Sequence, residues 1–329
     1  ADGVSRLNYP LIDGKVVGCP SHLLEPQSTN LFTYSEDFSN AAWTKSSSAV
    51  TITSNVAPDG TINSVYNLTG TNANLYTGGT PNIEHTISVY AKSNGQGKDN
   101  FKLRLGNSTS SSIIVTDKWV RYELTATPTT TVFGLTVDSS PNNEFDILIW
   151  GAQLEQGSFP TSYIKSNGSQ TTRSAETASN SGDASTFNDS EGVLMAEISA
   201  LADDGTDRRI TLSDGSGNNR IVIGFRPTSQ QVIGWMIVNG VNTPLFYTSS
   251  DVTTNSKYAL KYKQNDLQFW IDGFKVDYSL SVDIYPNGTL NELKFEDGDG
   301  GANLYGSTKQ LQYFDSALTD SELETLTSW

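Results

Sequence analysis

The feature that most constrains this chain is the alternation of apolar and polar residues over segments of strand length. In residues 85–92, the apolar Ile87, Val89 and Ala91 alternate with polar or aromatic neighbours. A period of two places one set of side chains on each face of a β-strand. Similar segments recur through residues 49–155 and again after Gly192. The chain is therefore predicted to be all-β.

Turn-forming residues separate these segments. The sequence contains 28 glycines, and many serines, threonines and asparagines lie between the apolar runs. Asn239-Gly240 and Asp272-Gly273 have the residue types that a two-residue hairpin turn with positive φ requires. We predict a hairpin at each pair, and the first run of segments predicts a β-sandwich of about eight strands.

Length and composition predict two domains. The chain has 329 residues, whereas single domains usually have roughly 100–200. Residues 166–191 are almost entirely Ser, Thr, Asn, Gly and Asp, with Phe187 as the one large apolar residue. We predict an extended segment at 1–30, a sandwich at 31–165, a polar linker at 166–191 and a second sandwich at 192–329. The linker could be free or lie flat on a neighbouring sheet.

One short helix is predicted near the C-terminus. Thr319 and Glu322 have the spacing of a capping box, in which each side chain bonds the other's backbone N–H. Leu323 and Leu326 then repeat on one helix face. We expect this helix to dock by its leucines.

Charge and cysteine content exclude several classes of protein. The net charge of −15 and the absence of a Lys/Arg run disfavour nucleic acid and anionic membranes as partners. Cys19 is the single cysteine, so no internal disulfide can form. No apolar run approaches the roughly 18 residues of a membrane-spanning helix. The opening resembles a cut from a longer chain, so an export signal could lie upstream.

The N-terminal third contains a recognisable string. Residues 19–31 read CPSHLLEPQSTNL, and residues 33–40 read TYSEDFSN, followed by Trp43. This segment resembles one that recurs in virion proteins of tailed phages and prophages. In that family it leads into a β-sandwich like the carbohydrate-binding modules of families four and nine. That sandwich ends in a stretch similar to WGAQLEQGSFPTSYI at residues 150–164.

The C-terminal half extends the resemblance. TRSAE at 172–176 and SEG at 190–192 are similar to the family's bridge into a concanavalin A-like, laminin-G-like domain, and FDSALTDSEL at 314–323 resembles that domain's last strand and helix. The resemblance implies two lectin-like jelly-roll sandwiches in a protein of the virion surface. The short stretch before Cys19 shows no attachment or coiled-coil segment. The mode of attachment and a homo-oligomeric state therefore stay open.

The residues that could support catalysis do not form a recognisable set. Glycosidases of related fold need two facing carboxylates, and the nearest candidates, within residues 296–301, have the composition of a turn. Residues 121–124 match the Arg-x-Glu-Leu strand of alginate lyases, but the Gln-Ile-His partner of those enzymes is missing. His22 and His85 lack both a nucleophile motif and metal-ligand spacing. We expect no enzymatic activity.

The resemblance implies one possible cofactor. Sandwiches of the first type often hold a structural Ca²⁺ ion near their first and last strands, and Glu36, Asp37 and Asp146 lie in the corresponding segments. Carboxylate oxygens are suitable ligands for this ion. Alternatively, Asp37 caps a turn and Asp146 is an acid at a strand edge.

Strand parity selects candidate sugar-binding residues. Sugars are recognised by aromatic faces and by hydrogen-bonding side chains. Tyr90, Arg104 and Trp270 each lie opposite an apolar set on their strands, so we expect them on polar, partly exposed faces. Trp270 should share its face with Gln268. The alternative is that Tyr90 and Trp270 cover a sheet or contact the other domain.

Three functions are compatible with these observations. The first is a phage tail or appendage component that binds glycans of the host surface or environment. The second is a structural virion decoration or spacer that contacts only other virion proteins. The third is a polysaccharide depolymerase, which would require an acid pair that the sequence does not reveal.

Overall fold

The chain folds into two compact units. The computed structural model describes residues 6–9, 11–12, 15–16, 18–137, 144–228 and 230–329. One unit, the inserted unit, is formed by Pro26–Ala175; the other, the discontinuous unit, is formed by Ala1–Glu25 together with Glu176–Trp329. The chain thus leaves the discontinuous unit at Glu25 and returns to it at Glu176.

These boundaries differ from those predicted from composition. Residues 1–5, 10, 13–14 and 17 of the predicted extended segment lie outside the described residues. Residues 26–30 and 166–175 belong to the inserted unit, and 176–191 belong to the discontinuous unit. In the latter stretch the Phe295 N–H donates to the Ala178 carbonyl at 3.0 Å, and Phe187 is buried in the core. Backbone hydrogen bonds to other segments order this polar stretch, and such bonds cannot be predicted from amino-acid composition.

The described residues of the N-terminal segment form four short strands: β1 (Leu7–Asn8), β2 (Leu11–Ile12), β3 (Lys15–Val16) and β4 (Ser21–Leu24). β2 and β3 pair with each other. β1 pairs with β4, which in turn pairs with residues 306–308 near the C-terminus. β1 and β4 therefore add edge strands to a sheet of the discontinuous unit.

The inserted unit is an antiparallel sandwich. Its strands are β5 (Ser28–Asn30), β6 (Thr44–Thr53), β7 (Val65–Gly78), β8 (His85–Ser93), β9 (Asn100–Leu105), β10 (Ser108–Thr109), β11 (Ile113–Ile114), β12 (Val120–Ala126), β13 (Val132–Val137), β14 (Glu144–Gln156) and β15 (Thr171–Arg173). The long β7 pairs with β14 through residues 66–71 and with β13 through residues 74–78. It therefore passes from one layer, with β14, β8 and β12, into the other, with β13 and β9.

The core of the inserted unit follows the predicted alternation. Ile87, Val89 and Ala91 of β8 are at most 1% exposed, and the apolar residues of β9 are completely buried in the same cluster. Phe101 of β9 meets Tyr122 of β12 edge to face, with 5.8 Å between ring centroids. The two layers thus face each other through these residues.

The discontinuous unit is built from a seven-stranded and a five-stranded sheet. Its further elements are β16 (Glu191–Ala200), β17 (Arg208–Ser213), β18 (Arg220–Phe225), β19 (Gln231–Val238), β20 (Val241–Thr248), β21 (Ser256–Lys263), β22 (Leu267–Ile271), β23 (Phe274–Ser279), β24 (Glu292–Lys294), β25 (Gly306–Phe314) and α1 (Asp320–Thr327). The sheet orders are β1-β4-β25-β16-β21-β22-β23 and β20-β19-β18-β17-β24. The all-β fold with one short C-terminal helix is as predicted.

Both predicted hairpins are confirmed. Asn239 and Gly240 join β19 to β20 with φ values of 48° and 79°, and Asp272 and Gly273 join β22 to β23 with φ values of 48° and 87°. Two successive residues with positive φ give the turn a twist that matches the flanking strands.

The C-terminal helix packs on the outer face of the seven-stranded sheet. Its capping box is formed by Thr319 and Glu322 as predicted. Leu323 is completely buried against a cluster that includes Met195 and Trp270. Among the described residues, no helix has the length and apolarity needed to cross a membrane.

An ionic clasp lies where the chain leaves and re-enters the discontinuous unit. The Arg6 guanidinium pairs with Glu25 and, at 2.8 Å, with Glu176. The Glu176 carboxylate also accepts the Glu25 N–H at 2.8 Å, and the Glu176 N–H donates to the Glu25 carbonyl at 3.0 Å. Because the Glu25 side chain is only 4% exposed, Arg6 compensates a buried charge.

Truncating the docked face of the helix should destabilise the discontinuous unit. We expect Leu323→Ala to lower the free energy of unfolding by about 2–5 kcal/mol, because it leaves a cavity against Trp270. Leu326→Ala, the same change at a half-buried position, should cost less. Urea unfolding followed by circular dichroism measures both, and equal costs would contradict this packing.

Candidate functional site

The structure places Tyr90 and Arg104 on opposite outer faces of the inserted unit. Each alternates with buried residues of its own strand, and those residues meet in one core. Tyr90 is half-buried beside Trp150, with the Arg121 guanidinium 5.7 Å from its ring centroid. The Arg104 Nε donates to the Gly106 carbonyl at 2.7 Å. The two residues therefore cannot line one sugar site together.

Trp270 is not exposed, contrary to expectation. Its side chain is 5% exposed, because α1 covers this face of the sheet. The predicted orientation is confirmed, since the indole N–H donates to the Gln268 Oε1 at 2.9 Å. The sequence showed which way Trp270 points but not that a helix packs over it.

The three predicted calcium ligands each have a different partner. Glu36 accepts hydrogen bonds from Tyr163 and Lys165. Asp146 accepts one from Asn94. Asp37 accepts the Ser39 N–H at 3.1 Å and the Tyr66 hydroxyl at 3.0 Å, which is the alternative role of a turn cap. No group of three or more His, Cys, Asp or Glu in the described part of the chain is arranged to hold a metal ion.

The acidic loop at residues 296–301 is neutralised by arginines. The Asp297 carboxylate pairs with Arg209 at 2.6 Å and with Arg220. Both guanidinium groups also lie over the Trp235 ring, 5.2 and 5.3 Å from its centroid. Asp297 is therefore part of an ion-pair network on the outer face of the five-stranded sheet.

A groove opens at the edge of the discontinuous unit where β20 and β23 meet. We call it the Tyr247–Phe274 groove. Its volume is about 470 Å³, which lies within the range of roughly 300–1,000 Å³ typical of ligand sites. Tyr247 is 40% exposed and Phe274 is 73% exposed. Both aromatic side chains are therefore available to a ligand.

Strand parity explains why these aromatics line a groove and do not join the core. On β20, Leu245 is buried between the sheets, and Tyr247 follows two residues later on the same inner face. On β23, Phe274 pairs with Ile271, itself a core residue. Tyr247 and Phe274 thus continue the two inner faces past the point where the core ends.

Polar groups complete the groove. Ser249, Ser250, Thr254 and Ser256 contribute hydroxyl groups, and Asp251 and Asp272 contribute carboxylates. The Asp251 carboxylate accepts hydrogen bonds from Thr253 and Thr254. These bonds, above all the one from the Thr253 hydroxyl, lower the pKa of Asp251. The Asp272 Oδ1 accepts the Lys257 N–H at 2.9 Å and the Trp329 indole N–H at 3.0 Å.

The floor of the groove is a buried tyrosine. Tyr258 is 1% exposed and stacks on Phe269, with ring centroids 6.3 Å apart and an interplanar angle of 17°. Burial raises the pKa of Tyr258, so its hydroxyl stays protonated at neutral pH. Tyr258 links the groove directly to the core.

The sequence pattern did not indicate this groove. Tyr247 and Phe274 have the parity of core residues, so parity alone predicts them to be buried. The feature of the sequence that could have indicated the groove is the position of these aromatics at strand ends. Phe274 directly follows the Asp272-Gly273 turn, and Tyr247 is the penultimate residue of its strand. Tyr247 and Phe274 lie near strand ends, at the groove between β20 and β23.

No protein-family model matches the chain, and no curated protein matches it. The chain is similar to the Ruminococcus gnavus IT-sialidase CBM40, with 13% identity over 47% of this chain and 97% of that one and a TM-score of 0.38. It is also similar to a heptameric SAP-like pentraxin from Limulus polyphemus, with 12% identity, coverage of 42% and 70%, and a TM-score of 0.36.

Another similar structure is domain 4 of a GH43 extracellular arabinanase from Geobacillus stearothermophilus in complex with arabinotriose. Identity is 12%, coverage is 45% of this chain and 70% of that one, and the TM-score is 0.35. The solved structures that resemble this chain thus include carbohydrate-binding modules.

Asp37 provides a test of the turn cap and of the predicted ion together. We expect Asp37→Ala to lower the free energy of unfolding by about 1 kcal/mol in the presence of a chelator, because the Ser39 N–H and the Tyr66 hydroxyl lose their acceptor. The Ser39 hydroxyl lowers the Asp37 pKa, so this contribution is present above the unfolded pKa and is lost as pH falls through the folded one.

The same samples test calcium binding, which stays a prediction. Excess Ca²⁺ added after chelation would raise the melting temperature of the unmodified chain but not of Asp37→Ala if Glu36, Asp37 and Asp146 bind the ion. An unchanged melting temperature would contradict the calcium site.

Proposed function

We propose that this chain binds glycans without catalysis, through the Tyr247–Phe274 groove. The observation that carries the proposal is the pair of exposed aromatic side chains on the walls of a groove that is otherwise lined by hydroxyl and carboxylate groups. Aromatic faces pack on the apolar patches of sugar rings, and the polar groups can bond sugar hydroxyls. The groove supplies both kinds of contact.

The carboxylates of the groove are better suited to binding than to catalysis. A glycosidase needs one carboxyl group that is protonated near neutral pH, but the Thr253 and Thr254 hydrogen bonds lower the Asp251 pKa. Asp272 is held by two N–H donors. Both groups are thereby fixed as acceptors for ligand hydroxyls.

The biological setting that we propose is the surface of a tailed-phage virion. The strings at residues 19–31 and 150–164, which resemble segments of tail and appendage proteins, support this setting. The partners would be glycans of the host surface or environment and other virion proteins. A net charge of −15 is compatible with an exposed, soluble particle surface.

Glycan-array binding tests the role of the groove. We expect Tyr247→Ala and Phe274→Ala each to lower affinity at least about tenfold, because each removes one aromatic wall. Tyr9→Ala is the matched control: Tyr9 belongs to the same unit and is 47% exposed, but it is not part of the groove lining. It should bind like the unmodified chain.

Other outcomes of this experiment separate the competing functions. Loss of binding in Tyr90→Ala alone would move the site to the inserted unit. A folded chain that binds no glycan would favour the decoration or spacer role. Release of new reducing ends from a bound polysaccharide would contradict the non-catalytic assignment.

The virion setting has a separate test. Mass spectrometry of phage particles purified from a lysate of the encoding organism should detect peptides of this chain together with other tail proteins. Detection in the soluble fraction but not in the particles would contradict the setting. It would leave the glycan proposal standing.

A further inference from the structure

A second, smaller groove lies on the same edge of the discontinuous unit. Its volume is about 180 Å³, and its lining includes Val241, Thr243, Asn265, Ser281 and Asp283. Val241 is 69% exposed. The lining combines an apolar surface with hydroxyl, amide and carboxylate groups, as in the Tyr247–Phe274 groove. We call it the Val241 groove.

The same two chain segments connect the grooves. The inner face of β20 passes from Val241 and Thr243 in one groove, through the buried Leu245, to Tyr247 in the other. β23 begins at Phe274 and runs in the opposite direction towards Ser281. At a rise of about 3.3 Å per residue, Val241 and Tyr247 are roughly 20 Å apart along the strand. This β20–β23 seam is therefore long enough for several sugar units.

The seam between the grooves is itself polar. The Asp277 Oδ2 accepts the Phe246 N–H at 3.0 Å, and its Oδ1 accepts the Tyr278 N–H at 2.9 Å. The first bond joins β23 to β20, the second lies within β23, and together they hold the Asp277 carboxylate between the two grooves. A ligand that crosses the seam would thus meet an oriented hydrogen-bond acceptor.

The charged side chains that line the two grooves indicate whether the ligand is neutral or anionic. Asp251, Asp272 and Asp283 are among the described lining residues, and Lys, Arg and His are not. The nearby Lys257 has its Nζ directed to the Ser328 carbonyl and the Trp329 ring. Within the described linings of the two grooves, an anionic sugar would therefore meet carboxylates and no cationic side chain.

We propose that the two grooves are the ends of one cleft, and that its ligand is a neutral, linear oligosaccharide lying along the β20–β23 seam. This inference rests on the proposed glycan-binding function and adds the shape and charge of the ligand. The Tyr247–Phe274 groove holds one end of the oligosaccharide and the Val241 groove holds the other.

Calorimetric titration with size ladders tests this cleft. The probes are neutral gluco-, manno-, xylo- and arabino-oligosaccharides of increasing length, from the monosaccharide to the octasaccharide. Affinity should rise with length until the seam is filled. Val241→Asp should weaken the longest bound member about tenfold and leave the shortest bound member unchanged. Tyr247→Ala should weaken every member that binds.

The controls use exposed positions, so that folding is retained. Leu280→Asp adds the same charge beside the Val241 groove, at a residue that is 67% exposed and not part of the lining; it should bind like the unmodified chain. A uronic-acid ladder of matched length should bind more weakly than the neutral one.

The outcomes distinguish this proposal from the one it rests on. Binding that does not depend on length, or an equal effect of Val241→Asp on short and long members, would overturn the two-groove cleft but not glycan binding. Stronger binding of the uronic-acid ladder would overturn the neutral class. Failure of every ladder and of the glycan array to bind would overturn both proposals.

Discussion

The contact between the inner faces of the two sheets of the discontinuous unit determines where its grooves can form. Gly234 of β19 lies under the Phe269 ring, and a Cβ atom added there would lie 2.7 Å from Phe269 Cδ2 and 3.0 Å from Leu260 Cδ1. The sheets thus approach closely at this point because one residue has no side chain. Tyr258 stacks on the same Phe269 ring, so the groove floor packs directly on this close contact between the sheets.

Helix α1 covers one of the outer apolar surfaces of the discontinuous unit and leaves others exposed to solvent. By covering Trp270 and Met195, it removes the most apolar part of the outer face of the seven-stranded sheet from solvent. On the five-stranded sheet, Arg209 and Arg220 cover Trp235 and are paired with Asp297. The edge between β20 and β23 keeps Tyr247 and Phe274 exposed, which is the apolar surface that the proposed ligand would contact.

The features that depend only on neighbouring residues in the sequence were predicted correctly. Period-two alternation gave the inward faces of β8 and β9, turn chemistry gave both hairpins, and the capping box gave α1. Trp270 shows what local pattern cannot predict. Parity fixes the direction of its side chain, but its exposure depends on whether α1 docks there. The unit boundary shows the same limit, since Glu25 and Glu176 are distant in sequence and meet only through hydrogen bonds to each other and to Arg6. Tyr247 and Phe274 were missed because core parity does not reveal where two sheets separate.

The open shape of the seam has a consequence for affinity. An open groove with aromatic walls buries less of a ligand than an enclosed pocket does, so each site gains only part of the available apolar contact. The hydrogen bonds that hold Asp251, Asp272 and Asp277 partly compensate, since these acceptors are already oriented before a sugar binds. A protein present in many copies on a particle does not need tight single sites, because linked sites raise the effective concentration of the next binding event. An open seam is thus compatible with the proposed adhesive role on a particle surface.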